Sequence, residues 1–498
     1  MSHIERIIKQ NFIYFVIAAL FITLCYLSLL RLDDFYFADD HYRKNYGTTG
    51  YTVFSRYTAE LLSVIFTIPE WHAYDYTPLE QVLAIFVMAF SGLILNSLFI
   101  EKITVFSAII SAFVGMSPFF YGNLLFSYGS FSMSVSVLFS IFPFLFYRSH
   151  RVFFIISIIG VLGTLTTYQS ASGVYWVVVI MLTAKNYFYD QINIKRCVKL
   201  FCIATLAYII AVAIFRFCIY TPRFSHISNE ALALPELFNG VIRNIKKYLV
   251  FIYSFVAKGY IGLYIIFLLL VFSLNVLRCQ ENQFKVISMI CLLIIIPIVL
   301  IASIGIPIFL SEFPIADRYM LGFNVLITIC ALVGFLNSGI IYRIFYLLFA
   351  MQLIAYGNIQ GNIIGEQWSY EKFRLSMALS DLSPLIGDEY ALSFGGNPVF
   401  RASFNVNAKN NSFIYGRHKN IISLLGYPGY WQLIVGRYIP IRKGNVQCDS
   451  DKGKVIFSSV YHNIYQKNRC FSVIYKTVGI KQSSVDSTSQ ASVSIMSQ

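Results

Sequence analysis

The chain has 498 residues, of which 57% are hydrophobic and only 12% are charged, with a formal net charge of +14. Soluble domains carry about 25% charged residues, so this composition excludes an ordinary soluble enzyme, and nothing in it predicts a nucleic-acid partner. Uncharged runs of about twenty residues recur along the chain, which is the length needed to cross roughly 30 Å of hydrocarbon. We therefore predict a mainly α-helical, multi-pass membrane protein.

The predicted spans follow from these apolar runs in chain order. The first run, Asn11 to Leu30, lacks a small-x-small cleavage site and is long for a signal peptide, so we interpret it as a retained span. The whole chain gives about eleven spans. They lie at residues 12–30, 81–100, 103–120, 125–146, 152–168, 172–189, 198–216, 248–276, 286–308, 319–336 and 340–357.

The short loops between the spans differ in their basic residues. If the N-terminus is cytoplasmic, Lys and Arg collect on the cytoplasmic side, as the positive-inside rule requires. The opposite turns near Gly122 and Gln169 carry none, and the turn near Ala316 carries only Arg318. An odd number of spans then places loop 31–80 and the region after residue 357 outside the cytoplasm.

Loop 31–80 holds the densest block of carboxylates, followed by arginines: Asp33, Asp34, Asp39, Asp40, Arg43 and Arg56. Glycosyl transfer to a hydroxyl needs a base within hydrogen-bond reach, and a carboxylate suits this role. A guanidinium fork matches the oxygens of a leaving phosphate. The alternative is structural, with the carboxylates capping a helix or pairing with the arginines. We expect one of Asp39 and Asp40 to be the base and its neighbour to orient a loop or hold an arginine.

Three other features near the predicted outer face bear on function. The stretch YTVFSRYTAELLSVIF, residues 51–66, has apolar residues at helical spacing and predicts an amphipathic interfacial helix. Arg318 opposes the positive-inside trend, which favours a phosphate partner, although pairing with Asp317 or Glu312 is an alternative. The span interiors contain almost no ionisable residue, whereas ion-coupled carriers normally keep such groups at the membrane midplane.

Residues 358–480 change to a polar composition with alternating runs such as KVIFSSVYHNIYQ and CFSVIYK. This pattern predicts an extracytoplasmic α/β domain that begins with a helix around residues 365–379 and ends in short strands. Cys448 and Cys470 are candidates for a disulfide there, with two unpaired thiols as the alternative. Residues 481–498 are polar and low in complexity, which predicts a disordered tail.

Cysteine and histidine spacing is the usual sign of a metal site. No spacing of these residues resembles such a site. We therefore predict neither a metal nor another cofactor, and a leaving lipid phosphate would not strictly require one.

The segment FADDHYRKNYGTTGYTVFSRYTAELL, residues 37–62, resembles the first outer loop of the serotype-converting O-antigen glucosyltransferases carried by bacteriophages of enterobacteria. These enzymes belong to the GT-C class of membrane glycosyltransferases. Their pattern is an Asp-Asp pair, an Arg, a glycine–aromatic stretch, a Gly-Arg and an apolar helix. Ser55 replaces the usual second glycine here, and Tyr57 stands where a proline is common. Three later stretches also resemble the family and follow one another in the order found there: TTYQSAS, DRYMLGF and QLIAYGNIQGN.

The resemblance implies an inner-membrane enzyme that moves glucose from undecaprenyl phosphate to the O-antigen repeat of lipopolysaccharide on the periplasmic side. A small flippase and a donor-synthesising enzyme usually accompany such proteins. The implied site consists of Asp39 or Asp40 as base, with Arg43, Arg56 and Arg318 at the donor phosphate. Tyr168 and Gln169 in TTYQSAS are candidate substrate contacts, and an interfacial aromatic with a polar turn residue is the alternative that spacing alone favours.

The acceptor glycan is expected on the basic C-terminal domain. The candidate stacking platforms are Trp368, Tyr427, Tyr430 and Trp431. Other functions stay open on the residues alone. An O-antigen polymerase or ligase also has many spans, but it relies on Arg and His in late loops. A carrier or flippase for lipid-linked sugars is disfavoured by the uncharged interior and the large outer domain, and a membrane scaffold without activity is a third alternative.

Overall fold

The computed structural model is mostly helical. The structure describes residues 2–65, 68, 70–221, 230–258, 260–278, 285–336, 339–386, 391–396, 453–468 and 470–476. The candidate tail 481–498 lies outside these residues.

The helices of the described residues are numbered in chain order. They are α1 Ser2–Cys25, α2 Leu27–Leu30, α3 Asp39–Tyr46, α4 Tyr57–Ser63, α5 Leu79–Phe99, α6 Val105–Ser111, α7 Phe113–Met116, α8 Tyr121–Leu124, α9 Ser130–Ile141, α10 His150–Thr167, α11 Ser172–Phe188, α12 Ile194–Ile214, α13 Leu237–Lys258, α14 Tyr260–Arg278, α15 Lys285–Ala302, α16 Leu321–Phe335 and α17 Ile340–Leu382. The strands are β1 Ala391–Gly396, β2 Lys454–Ser458, β3 His462–Lys467 and β4 Cys470–Tyr475.

Among the described residues, four helices are long and apolar enough to cross a membrane, namely α5, α10, α12 with the turn after it, and α17. Five further apolar helices have 10–17 residues, which is less than the roughly 20 that a helix needs to cross hydrocarbon. The membrane character predicted from composition therefore agrees with the structure, but the count of about eleven spans is not confirmed.

The predicted single span 248–276 is instead a pair of helices. Residues 234–257 and 261–275 meet at 105°, so that together they would form a fifth, broken span. α13 ends at Lys258. A charge in the middle of a continuous span is costly, and the bend places this lysine at a helix end.

α16 forms the centre of the helical part. Every residue from Leu321 to Gly334 is buried, and its neighbours include α5, α6, α7, α11 and α14. A helix that is apolar on all sides is expected to be enclosed by other helices. α10 and α12 instead leave large side chains exposed, such as Ile155 and Ile209, so these two helices lie at the periphery.

The first half of α17 lies very close to the N-terminal helices. Gly357, Gly361 and Gly365 are four residues apart and so share one helix face. A β-carbon at Gly357 would lie 2.3 Å from the carbonyl oxygen of Cys25, and one at Gly361 would lie 2.2 Å from Oγ of Ser28. Glycines permit this approach, which fixes the point where the chain leaves α2 and enters loop 31–80.

α17 is one helix of 43 residues, about 65 Å long at 1.5 Å per residue. It therefore exceeds the roughly 30 Å of a bilayer core and contains both the predicted span 340–357 and the predicted helix around 365–379. By internal contacts the described residues form two compact units, one ending at Ser369 and one starting at Tyr370. The predicted domain border at residue 358 stays a prediction.

The second unit contains a four-stranded sheet in the order β1-β4-β3-β2. β1 pairs with β4 in parallel, and the other two pairings are antiparallel. β-branched and aromatic residues, which favour strands, recur in the runs VIF and FSVIY. The prediction of short strands after a helix is thus confirmed for these segments.

Buried charges pack within the second unit. Arg374 lies 3.3 Å from Glu371 and 4.1 Å from the centre of the Tyr475 ring. Nε2 of His462 lies 3.1 Å from a carboxylate oxygen of Asp381. These contacts connect the end of α17 to the sheet.

Cys470, at the start of β4, is disulfide-bonded. Cys448 lies outside the described residues, so the pairing of these two cysteines stays a prediction.

Candidate functional site

The aspartate pair lies at the start of α3 rather than on a strand. Ala38 precedes the helix at φ +50° and ψ −117°, and Asp39 and Asp40 occupy its first turn, where negative charge is favourable. Adjacent helical residues point about 100° apart, since a turn takes 3.6 residues. The two carboxylates consequently enter different surroundings.

Asp40 is completely buried. Its Oδ1 lies 2.9 Å from Nη1 of Arg43, and its Oδ2 accepts hydrogen bonds from the backbone N–H groups of Ser127 and Tyr128. Burial raises the pKa of Asp40 to about 6, against the opposing effect of the Arg43 charge and these hydrogen bonds. Both carboxylate oxygens are therefore engaged, and we call Asp40 and Arg43 the sealed pair.

The sealed pair anchors the loop that follows α3. Nε of Arg43 donates to the carbonyl oxygen of Thr49 at 3.0 Å, and its guanidinium carbon lies 4.5 Å from the centre of the Tyr51 ring. Glu60 of α4 accepts hydrogen bonds from the Thr49 hydroxyl and from the Tyr51 N–H, the latter at 3.0 Å. Arg43 is thus surrounded by protein groups on several sides.

Asp39 has the opposite environment. Its side chain is exposed, and no hydrogen bond or ion pair involves its carboxylate within the described ranges. Burial lowers the pKa of Arg318, but Tyr319, Tyr168 and, least of all, the negative charge of Asp39 raise it, and the net shift is upward. An exposed carboxylate is open to accept a proton from a bound molecule.

Arg56 follows a residue in the left-handed conformation. Ser55 has φ +57° and ψ +30°, is buried, and its hydroxyl accepts a hydrogen bond from the N–H of Thr221 at 3.0 Å. Nε of Arg56 donates to Oε1 of Gln169 at 2.9 Å, and its guanidinium lies 5.1 Å from the centre of the Tyr168 ring. The left-handed turn thereby directs Arg56 toward the turn after α10.

Arg318 reaches the same turn from the segment before α16. Nη2 of Arg318 donates to the Tyr319 hydroxyl at 3.0 Å. The ring of Tyr319 stacks on that of Tyr168 with centres 6.3 Å apart, and the Tyr168 hydroxyl donates to the carbonyl oxygen of Arg318. Nε of Arg318 is buried and has no hydrogen-bond partner in the described part of the chain.

Arg56 and Arg318 leave an uncompensated positive charge. Burial and, to a smaller extent, the charge of Arg318 lower the pKa of Arg56. Neither arginine forms an ion pair with a carboxylate anywhere in the residues that the structure describes. We call Asp39, Arg56 and Arg318 the open cluster. Two neighbouring guanidinium groups without counter-ions are suited to binding an anion.

The structure brings the sequence-predicted residues together through these contacts. Tyr168 and Gln169 contact Arg56, Tyr168 also contacts Arg318, and Asp39 lies near Arg318. Sequence reasoning missed Tyr319, although it stands beside Arg318 in DRYMLGF and only its packing on Tyr168 shows its place in the site.

Two predictions about this region need correction. The predicted interfacial helix is divided: residues 52–54 form a 3-10 turn, Ser55 is left-handed, and α4 starts at Tyr57. Trp368 was a candidate stacking platform, but it is 3% exposed and packs edge-on against Phe35. A buried ring cannot stack on a glycan. The other candidate platforms, Tyr427, Tyr430 and Trp431, lie outside the described residues.

Comparisons with known proteins place these observations in context. Within the described residues there is no group of three or more His, Cys, Asp or Glu side chains that could hold a metal ion. A family model described as Glucosyl transferase GtrII matches residues 27–335. That range contains the sealed pair and the open cluster. No curated protein and no solved structure matches the chain.

Proposed function

The chain belongs to the GtrII family of glucosyl transferases, and from this premise we propose its donor, acceptor, orientation and catalytic residues. The proposed reaction moves glucose from undecaprenyl phosphate glucose to a sugar of the O-antigen repeat of lipopolysaccharide. It takes place at the periplasmic face of a bacterial inner membrane. A small flippase and a donor-synthesising enzyme are the proposed partners.

The orientation rests on the basic residues of the short loops. With a cytoplasmic N-terminus and about eleven membrane passages, loop 31–80 faces the periplasm, and so does the polar region after α17. A lipid-linked donor has its phosphate at the headgroup level, which is where charged side chains are tolerated.

Asp39 is the proposed base. A general base must be within hydrogen-bond reach of the proton that it takes, and the exposed carboxylate of Asp39 is open to an acceptor hydroxyl. Asp40 is completely buried with both oxygens engaged, so we assign it the second role expected for the pair, that of holding Arg43. This assignment also makes Arg43 a positioning residue rather than a direct phosphate ligand.

The donor phosphate is assigned to Arg56 and Arg318. The observation that carries the proposal is that these two guanidinium groups lie together without a carboxylate partner in the described residues. The buried Nε of Arg318 offers an unused donor. Hydrogen bonds from guanidinium groups to phosphate are strong because both partners are charged.

In the proposed transfer one proton moves to the base, one bond to glucose forms and one bond to glucose breaks. The carboxylate of Asp39 takes the proton of an acceptor hydroxyl, and the resulting oxygen forms a bond to C1 of glucose. The bond between C1 and the phosphate oxygen breaks, and both its electrons stay on undecaprenyl phosphate. Arg56 and Arg318 stabilise the negative charge that develops on the leaving phosphate.

Family membership favours this reaction over a lipid-linked sugar carrier. A carrier would change the side of the membrane on which the sugar is found without forming a glycosidic bond. An O-antigen polymerase would form a bond between repeats rather than add a single branch. The products of a defined assay therefore separate the three functions.

The test is transfer by purified protein in proteoliposomes that contain undecaprenyl phosphate [14C]glucose, with delipidated O-antigen polysaccharide as acceptor. We expect labelled polysaccharide with the wild type. Asp39→Asn should lose about 10²- to 10⁴-fold in transfer, the range of a general base, and should melt like the wild type because its side chain is exposed.

Asp33→Asn is the matched control, since Asp33 is also exposed and lies in the same loop. Its transfer rate should equal that of the wild type. Wild-type rates in Asp39→Asn would refute the assignment of the base. Movement of labelled lipid without labelled polysaccharide would support the carrier.

A further inference from the structure

α3 carries two tyrosines on the same side of the helix as the proposed base. Asp39, Tyr42 and Tyr46 are three and four residues apart, so they lie on one side of the helix. Asp40 and Arg43 of the same helix are buried. The proposed base thus stands at one end of a surface stripe whose other members are tyrosines.

The two tyrosine rings are open to solvent. Tyr42 is 53% exposed and Tyr46 is 52% exposed, although their ring centres are only 4.6 Å apart. Aromatic rings that could be buried are normally covered by the protein itself. Two rings in contact with each other, both half open and adjacent to a candidate base, are available to a bound molecule.

A second pair of rings lies beyond the end of α3. Gly47 ends the helix at φ +63°, and its carbonyl oxygen accepts a hydrogen bond from the N–H of Ala73 at 3.1 Å. His72 and Tyr74 flank Ala73 in the sequence. Both are exposed, and the centres of their rings are 4.7 Å apart. The hydrogen bond at Gly47 therefore brings the segment that carries these rings next to the C-terminal end of α3. We call Tyr42, Tyr46, His72 and Tyr74 the aromatic shelf.

Charged groups hold the two parts of the shelf together. Nζ of Lys44 on α3 lies 3.2 Å from Asp34 and 2.9 Å from Asp75, and it also bonds the hydroxyl of Tyr36. Asp75 directly follows Tyr74. These ion pairs join α3 to the segment that carries His72 and Tyr74 before any ligand binds, which lowers the entropy cost of binding.

We propose that the aromatic shelf is the acceptor-binding surface, which takes the hexose residues next to the hydroxyl that Asp39 deprotonates. Sugar rings carry apolar C–H faces and polar edges, so they can lie on aromatic faces while their hydroxyls bond nearby carboxylates and phenols. Successive tyrosines on α3 are about one turn, or 5.4 Å, apart, so neighbouring sugars can lie over neighbouring rings. The proposal rests on the role of Asp39 in the proposed function.

A lipid surface is the other candidate occupant, and the composition of α3 disfavours it. The helix reads DDHYRKNY, whereas a helix that lies in a membrane interface needs a continuous apolar face. Tyr74 also donates its hydroxyl to Glu70 at 2.6 Å, so a carboxylate lies at the far end of the shelf as well. Carboxyl groups at both ends suit a hydroxyl-rich ligand better than acyl chains.

The experiment measures the binding of delipidated O-antigen polysaccharide by saturation-transfer NMR, with the protein in nanodiscs. All variants carry Asp39→Asn, so that no turnover occurs. We expect Tyr42→Ala and Tyr46→Ala each to weaken binding about tenfold, in line with the loss of an aromatic contact. In enzymes with native Asp39, they should raise the acceptor KM similarly and leave the donor KM unchanged.

Tyr187→Ala is the matched control, because Tyr187 is 41% exposed at the end of α11, far along the chain from the shelf. Unchanged polysaccharide affinity in the double variant Tyr42→Ala, Tyr46→Ala would overturn the proposal. So would quenching of the added fluorescence of Tyr46→Trp by brominated lipids, which would place the ring in the bilayer. Melting temperatures verify that each variant is folded.

The two proposals fail in different ways. If polysaccharide binding depends on Tyr42 and Tyr46 but no glucose is transferred from the lipid donor, the shelf stands and the proposed reaction falls. If glucose is transferred and the affinity does not depend on these tyrosines, the reaction stands and the shelf falls.

Discussion

The sealed pair and the open cluster use the same two residue types, aspartate and arginine, yet their surroundings are opposite. Arg43 has a carboxylate at 2.9 Å, a carbonyl oxygen at 3.0 Å and a tyrosine ring beneath it. Arg56 and Arg318 have aromatic and amide neighbours but no carboxylate among the described residues. The first arginine is satisfied by the protein, and the other two are left for a ligand.

This difference separates the residues of the motif that stabilise the loop from those that are available to bind a ligand. A charged group whose partners are all internal stabilises a loop, because removing one partner leaves the other buried and uncompensated. A buried charged group without a counter-ion costs folding free energy, and a bound anion can supply the missing partner. Three changes to the protein test whether these two groups of residues have different roles, and they are ordered from the largest expected effect to the smallest.

The largest effect is expected from Arg43→Gln. Asp40 would then be a buried carboxylate without its counter-ion, and such a loss costs about 3–5 kcal/mol. Thermal unfolding in detergent at pH 7.5 should show a lower midpoint than the wild type. The double variant Arg43→Gln, Asp40→Asn should regain part of the loss, whereas a double variant no more stable than Arg43→Gln would show that the pair is not coupled.

A smaller effect on stability is expected when a change of pH titrates Asp40. The pKa of Asp40 is raised by burial from 3.8 to about 6, so the fold favours the protonated carboxyl group. Its contribution to stability is complete below about pH 3.8 and falls as the pH rises to about 6, by at most about 3 kcal/mol. Above pH 6 it is constant. Asp40→Asn lacks this titration, so the stability of the wild type relative to this variant should decline between pH 4 and 6 and then level off. A constant difference across that range would contradict the burial of an ionisable Asp40.

The smallest effect concerns donor affinity. Arg56→Gln and Arg318→Gln should each raise the donor KM about 10- to 100-fold, since a hydrogen bond to a charged group is worth about 1.5–3 kcal/mol. The melting temperature should fall less than in Arg43→Gln, because within the described residues neither arginine is paired with a carboxylate and each donates only to an uncharged group, Gln169 or Tyr319. Arg31→Gln is the control, as Arg31 is exposed in the loop that carries Arg56, and its guanidinium donates to Asn362. Equal donor KM values in all three variants would remove the phosphate from the open cluster.

Much of the site could be predicted from the order of short motifs. Asp39, Arg56, Tyr168, Gln169 and Arg318 are far apart in sequence, and their convergence agrees with a loop and two turns at one predicted face. Ser55 shows why glycine is common at that place in the family pattern, because its φ of +57° is a conformation that glycine adopts without strain.

The remaining features depend on conformations that composition does not reveal. Asp40 and Arg43 form a pair only because α3 is a helix, which places residues three apart on one face. The exposed stripe of Asp39, Tyr42 and Tyr46 follows from the same helix. Trp368 looked like a surface ring in a polar region, but the continuity of α17 carries it into the packed interior.

Gly47 has a consequence for the mechanics of loop 31–80. A β-carbon at this position would lie 1.7 Å from the imidazole of His72, so the end of α3 and the segment around His72 meet where only a glycine fits. The φ of +63° at Gly47 is also a conformation that glycine adopts without strain. A larger residue there would force the His72 side chain away from α3 and disturb the part of the aromatic shelf that lies beyond the helix.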